Sequence, residues 1–181
     1  MSVFLYSTLV ALLALVALAG AGGLLTYRLV RGPEASNLLG VKAIWLAWLV
    51  ASVATVGSLI YSEVVHFTPC RLCWFQRIAM YPMVIVLLVG AIRRDFRARY
   101  YALPLALIGL AISIYHYLLQ RFPNLEATSS CDPSNPCSLV LVNIFDFISI
   151  PFMAGAGFIV ISVLLGFYVN KNSIEQETRV Q

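Results

Sequence analysis

Five apolar runs, each close to the length of a membrane span, constrain this 181-residue chain more than any other feature. They cover roughly Val3 to Tyr27, Ala43 to Val65, Trp74 to Ile92, Tyr100 to Gln120 and Ile150 to Val169, each bounded by charge, Pro or Asn. A helix needs about 20 residues to cross a hydrocarbon core of about 30 Å, so all five qualify. In lipid, backbone polar groups must be satisfied within a helix or a closed barrel. Barrel strands alternate polar and apolar residues and these runs do not, which leaves helices. Composition agrees: 61% of the residues are hydrophobic, 11% are charged, and mean hydropathy is +0.88. A soluble domain is about half apolar and about a quarter charged. The expected fold class is an all-α membrane protein with five spans.

Lys and Arg orient the spans. Arg93, Arg94, Arg97 and Arg99 crowd one short connection, which the positive-inside rule puts in the cytoplasm. Alternation then puts the segment from Arg28 to Lys42 and the tail with Lys171 and Arg179 on the same side. Nine basic residues lie inside against three outside, namely Arg71, Arg77 and Arg121. Residues 66–73, residues 121–149 and the amino terminus face the extracytoplasmic side. The net charge of +4 is accounted for by orientation and contact with anionic lipid, so no nucleic-acid surface is expected. The first run lacks a basic n-region and exceeds the core of a signal peptide, so it reads as a retained helix. Its Ala-Gly-Ala-Gly-Gly stretch at 19–23 suits close helix packing, although it also resembles a cleavage site.

All four cysteines, Cys70, Cys73, Cys131 and Cys137, fall in the two outside connections. An oxidising compartment lets disulfides persist, so an even number confined to that side reads as two disulfides or dithiols. Proximity favours 70 with 73 and 131 with 137. A Cys₄ zinc site is opposed by the wide spacing of the second pair and by oxidation of thiols outside the cell, so no metal is expected. Purely structural disulfides are a competing reading, but a Cys-x-x-C loop is so small that closing it stabilises little.

The setting of the first pair favours redox chemistry. In "HFTPCRLCWFQRIAMYP", Pro69 halts the chain and the helix that resumes at Arg71 or Leu72 places Cys73 in its first turn. Free N–H groups and the helix dipole stabilise a thiolate there. Arg77 lies one turn deeper, by about 6 Å, on the same face. Snorkelling to the headgroups is one account of it. The other is that its guanidinium stabilises the Cys73 thiolate and donates to a carbonyl-bearing ligand. With no dinucleotide motif in the chain and two histidines in all, a membrane quinone is the acceptor that fits. His116, four residues before Gln120, is expected at the depth of Arg77 and would complete a quinone-head site, though a bond to a neighbouring helix explains it equally well. His66 is expected on the surface. The second pair lies in "SSCDPSNPCS", residues 129–138, whose Ser, Pro, Asn and Asp predict an exposed, extended loop able to reach a soluble protein. "VNIFDFISIP" predicts a short interfacial helix before the last span.

"PCRLCWFQR", "YHYLLQRFP" and a second cysteine pair ahead of "FISIPFMA" together resemble the DsbB family of disulfide-bond-forming membrane oxidoreductases. The short second spacing is closest to its BdbC-type members. The resemblance implies a four-helix transmembrane bundle over 43–169; the apolar runs and basic residues add an N-terminal transmembrane helix in 1–30 and a cytoplasmic tail at 170–181. It implies a quinone-dependent thiol:disulfide oxidoreductase of the bacterial plasma membrane, using ubiquinone or menaquinone. The partner it implies is an extracytoplasmic thioredoxin-fold, DsbA-like thiol oxidase. Carried onto this chain, Cys131 forms the mixed disulfide with the partner, Cys137 exchanges with Cys70, Cys73 engages the quinone, and Arg77 and His116 lie at its head. Gln76 stands where many members carry an acidic residue, and the first span is outside the usual unit. Two alternatives keep their place: a vitamin-K-epoxide-reductase-like enzyme, in which the quinone-side pair belongs near the last helix, and a non-enzymatic scaffold with two structural disulfides.

Overall fold

The computed structural model of the chain describes residues 3–32, 39–124, 131 and 135–169. The expected tail at 170–181, residues 33–38 of the first basic segment, and residues 125–130 and 132–134 around the second cysteine pair lie outside the described residues.

Five helices form where the five apolar runs lie. They are α1 (Val3–Arg31), α2 (Lys42–Leu59, continued as a π-helical turn over Ile60–Val64), α3 (Arg71–Arg93), α4 (Ala98–Arg121) and α5 (Ile150–Val163, continued as a π-helical turn over Leu164–Tyr168). Each is long and apolar enough to cross a membrane, and the chain is a multi-pass membrane protein. Helices α2 to α5 run up and down in sequence, each beside the next, and α5 returns to α2. Helix α1 lies outside this ring, against α5 and α2.

Lipid is as apolar as leucine, so helices associate in it through close packing rather than by escaping water. The buried residues show this. Helix α2 buries Ala43, Ile44, Ala47 and Ala51. Helix α4 buries Ala98, Ala102, Ala106, Gly109 and Ser113, a stripe of small residues three or four apart that continues into His116 and Leu119. At Gly109 the backbone meets the ring of Phe158, which is fully buried; a Cβ there would stand 2.3 Å from the ring carbons. The same stripe that lets α4 pack tightly therefore carries His116 into the bundle.

The turn before α5 departs from expectation. "VNIFDFISIP" forms no interfacial helix. Ile144 and Ile148 instead pair in both directions at 2.9 Å, and Phe145 and Asp146 take left-handed backbone angles of 52° and 60°. Helix α4 holds this loop: Arg121 Nη2 donates to the Asp146 carbonyl at 2.7 Å and Tyr117 Oη to the Phe147 carbonyl at 3.1 Å. With those anchors supplied by α4, a tight reversal satisfies its polar backbone groups better than a helix of fewer than three turns, which is marginal alone. The packed residues Ile144 and Ile148 then join Tyr61 of the α2 extension, Ala11 of α1 and Met153 of α5 in one apolar cluster.

Candidate active site

The cysteines meet where α3 begins. Pro69 leads into Cys70, the N-cap of α3, whose extended backbone turns its side chain back over the first turn. Its Sγ accepts from the Cys73 N–H at 3.4 Å and lies 3.0 Å from Cys73 Sγ. This corrects the expectation that the helix terminus serves Cys73. An N-cap side chain reaches the N–H three residues on, and Cys73 is the residue that supplies that N–H. The helix terminus therefore holds Cys70.

His116 joins them from α4. Its Nε2 lies 3.6 Å from Cys70 Sγ and 3.1 Å from the Cys137 carbonyl oxygen, and the residue is 2% exposed. Its Nδ1 is buried and has no partner among the described residues. These surroundings hold the Cys70 thiol well below its ordinary range: the Cys73 thiol, as a donor, lowers it most, burial opposes this, and His116 lowers it again.

Cys131 and Cys137 form a disulfide, with Cα atoms 6.0 Å apart, whereas Cys70 and Cys73 stand as thiols. The second pair is not carried on a wholly exposed loop. Cys137 is 1% exposed and packs with Cys70, Leu72 and Leu119, while Cys131 is half-buried at the edge of that cluster. Asn135 Nδ2 donates to the Pro69 carbonyl at 3.3 Å, tying this segment to the approach of Cys70. Packing against the dithiol explains the burial that the polar sequence does not announce; residues 129, 130 and 132–134 are outside the described residues. A shared cleft is lined by Thr68, Cys70, Cys73, His116, Gln120 and Asn135.

Arg77 turns another way. Half-buried, it donates from Nε to Ser58 Oγ at 3.0 Å and from Nη2 to the Ser58 carbonyl at 3.1 Å, and its guanidinium lies 5.4 Å from the centre of the Trp74 ring. Snorkelling does not account for it, because both bonds run to α2. Arg77 and His116 thus engage different neighbours: one is fixed on α2, the other on Cys70 and the second cysteine pair. Gln76 is buried and donates to Ser113 Oγ of α4 at 3.0 Å. His66 is exposed, as expected, at the left-handed break after α2. Ser58, Ser113 and Asn135 were not singled out in the sequence. The only signal for the two serines is a hydroxyl within an apolar run, which is common in membrane helices.

Two sulfurs and a ring nitrogen within 4.8 Å of one another could hold a soft metal ion. Two thiolates on one tetrahedral zinc stand about 3.8 Å apart, given bonds of about 2.3 Å. The observed 3.0 Å suits a hydrogen-bonded dithiol better.

A helical membrane bundle that gathers a Cys-x-x-C dithiol, a disulfide and a histidine at one end defines a membrane thiol:disulfide oxidoreductase. The chain belongs to the DsbB family: the family model described as disulfide bond formation protein DsbB matches residues 41–169. Curated proteins are similar to it as well. It is 47% identical over 132 residues to a probable disulfide formation protein of Oceanobacillus iheyensis, covering 72% of this chain and 88% of that one. It is 44% identical over 122 residues to disulfide bond formation protein C of Bacillus subtilis, covering 67% and 88%. No solved structure matches the chain. Helix α1 precedes the region matched by the family model.

Proposed function

We propose that this protein is a quinone-dependent thiol:disulfide oxidoreductase of a bacterial plasma membrane that reoxidises an extracytoplasmic thioredoxin-fold, DsbA-like thiol oxidase. The observation that carries the reading is the packing of Cys137 against Cys70 in one buried cluster, with the His116 ring touching both, since thiol exchange between the pairs needs their sulfurs close together. The cysteine end of the bundle faces outward and the Arg93–Arg99 connection inward, as the basic residues direct.

The reduced partner's thiolate attacks Cys131, and Cys137 leaves as a thiolate. The partner's second thiol closes its own disulfide and releases Cys131. Cys137 then attacks Cys70 of an oxidised Cys70–Cys73 bridge, and Cys73 leaves. Attack by Cys131 on the resulting Cys137–Cys70 bond restores the loop disulfide and frees Cys70. Each step breaks one S–S bond and forms another, so the two electrons and two protons taken from the partner end on Cys70 and Cys73. In the last of these steps the Cys73 N–H and His116 stabilise the negative charge on Cys70 as it leaves.

A bound quinone, ubiquinone or menaquinone, would supply the final acceptor for two electrons and two protons. The residues present fit such a group. Cys73 is half-buried in the first turn of α3, and among the described residues neither Arg77 Nη1 nor the buried His116 Nδ1 has a protein partner. Arg77 and His116 would hold the ring carbonyls, with Cys73 as the sulfur that faces them. The test is anaerobic: purified protein is mixed with a reduced thioredoxin-fold oxidase and a short-tailed quinone, and quinol is followed by absorbance. Wild type should produce quinol, Cys73→Ser none, and Arg77→Ala at least tenfold less, in line with loss of a charge-assisted hydrogen bond. Equal yields from all three would refute the reading.

A further inference from the structure

Arg77 is a charged side chain one turn inside a membrane helix, and its fixed geometry comes almost entirely from one residue of another helix. Ser58 receives it twice, through Oγ and through its backbone carbonyl. Tyr81, one turn beyond Arg77 on α3, donates to the same Oγ at 3.4 Å. Just beyond, α2 loosens: over Ile60–Val64 the bonding widens to the π pattern, with Val65 N–H donating to the Ile60 carbonyl. Such widening is common at functional positions. Two successive carbonyls ahead of it accept side chains of other helices, Ser58 from Arg77 and Gly57 from Tyr6 of α1, the latter at 3.2 Å.

Helix α1 therefore grips α2 one residue from the anchor of Arg77. A second bond lies on the other side: Tyr61 Oη donates to Ser7 Oγ at 2.9 Å, with Ser7 1% exposed. The Tyr6 and Tyr61 rings meet edge to face, 5.1 Å between centres. Gly57 permits this approach, since a Cβ there would stand 3.2 Å from Tyr6 Oη. Ser58 is thus bracketed at positions 57 and 61 by polar contacts from α1.

We propose that Ser58 is a positioning residue for Arg77, and that α1 is the clamp that holds Ser58 in register. The first helix thereby tunes the acceptor side of the site from outside the family unit. This rests on the quinone reading above. Two donors of the guanidinium are committed to Ser58, which aims the remaining edge, Nη1, in one direction. Freed from Ser58, a long flexible side chain samples other rotamers and holds a carbonyl less well.

The test measures binding rather than turnover. Equilibrium dissociation constants for a short-tailed ubiquinone and a short-tailed menaquinone are read from quenching of tryptophan fluorescence in the full-length, detergent-purified protein. Ser58→Ala should weaken binding about tenfold, as expected for losing a hydrogen bond to a charged group. Ser58→Thr, which keeps the hydroxyl, should bind like wild type. Tyr6→Phe combined with Tyr61→Phe, which keeps both rings, should weaken binding about threefold. In an Arg77→Ala background Ser58→Ala should have no further effect, because it acts through the arginine. Trp74 emission, recorded without quinone in a Trp45→Phe, Trp48→Phe protein, should shift on Ser58→Ala and on Arg77→Ala alike. An effect of Ser58→Ala that is absent, or equally large without Arg77, overturns the positioning role while leaving the quinone reading intact. Failure of wild type to bind either quinone overturns both. Unchanged binding in the double tyrosine variant removes the clamp alone.

Discussion

The Nε2 of His116 lies 3.6 Å from Cys70 Sγ, across 46 residues of sequence, and the same nitrogen lies 3.1 Å from the Cys137 carbonyl. Among the described residues, one imidazole therefore touches both cysteine pairs. A proton on this nitrogen serves the carbonyl and any negative charge on Cys70 together, so the ring stabilises the sulfur that two successive exchange steps use. The buried position raises the electrostatic value of that contact.

Cys70 should be alkylated at acidic pH. Its thiol is lowered, so the thiolate is already present above that depressed value and is lost only as pH falls through it. With Cys131 and Cys137 disulfide-bonded and the first pair reduced, iodoacetamide should modify Cys70 at a nearly constant rate from pH 8 down to about pH 6. An ordinary thiol, titrating near about 8.5, slows steeply over that range. Peptide mass spectrometry assigns the site. His116→Ala should move the decline toward higher pH, and a wild-type profile already like that of an ordinary thiol would count against the contact.

Cys137→Ala should trap the protein partner. Without Cys137, a mixed disulfide between Cys131 and the partner's cysteine has no loop thiol to resolve it, and it should accumulate on non-reducing gels when the partner's second cysteine is also replaced. Cys131→Ala should give little of this species, since Cys137 is 1% exposed and Cys131 is half-buried. Equal trapping by both variants would reverse the assigned order.

Gly109→Ala should destabilise the bundle. Its methyl group would meet the Phe158 ring at 2.3 Å in a fully packed interior, a case of overpacking that costs about 1–3 kcal/mol. Gly20→Ala on α1, where no atom lies within 4 Å of the added carbon, should be neutral or slightly stabilising. Thermal unfolding in detergent distinguishes them, and similar midpoints would show that α4 and α5 can separate without penalty.

Asp146 takes a left-handed backbone angle of 60° in the turn ahead of α5. Asp146→Gly should preserve stability, while Asp146→Val should lower it by about 1–3 kcal/mol, because a β-branched residue is strained there. Circular dichroism melts provide the comparison. A helical turn in this segment would predict the opposite order.

Much of the architecture was legible in the chain. Each apolar run became a helix, and the limits moved by only a few residues: the span expected from Trp74 to Ile92 is Arg71–Arg93. Hydropathy works here because lipid forces backbone groups to bond locally, so helix formation needs no knowledge of distant residues. Segments outside the helices followed a different rule. Residues 142–150 carry an apolar pattern compatible with a short helix, but bonds from Arg121 and Tyr117 of α4 select a tight reversal. The polar loop sequence around Cys137 suggested exposure, and packing on Leu72 and Leu119 buried the cysteine.

The site divides in the same way. By itself the sequence determined that four cysteines share one end of a membrane bundle, that Cys73 falls in the first turn of a helix, and that Arg77 follows one turn later, since these are consequences of local spacing and periodicity. Tertiary structure decided which sulfur the helix terminus holds, that His116 reaches Cys70 and the Cys137 carbonyl, and that Arg77 is fixed by Ser58 on another helix. Those contacts depend on the rotation of one helix about its axis against its neighbour, which small-residue packing sets and which hydropathy along a single chain does not encode.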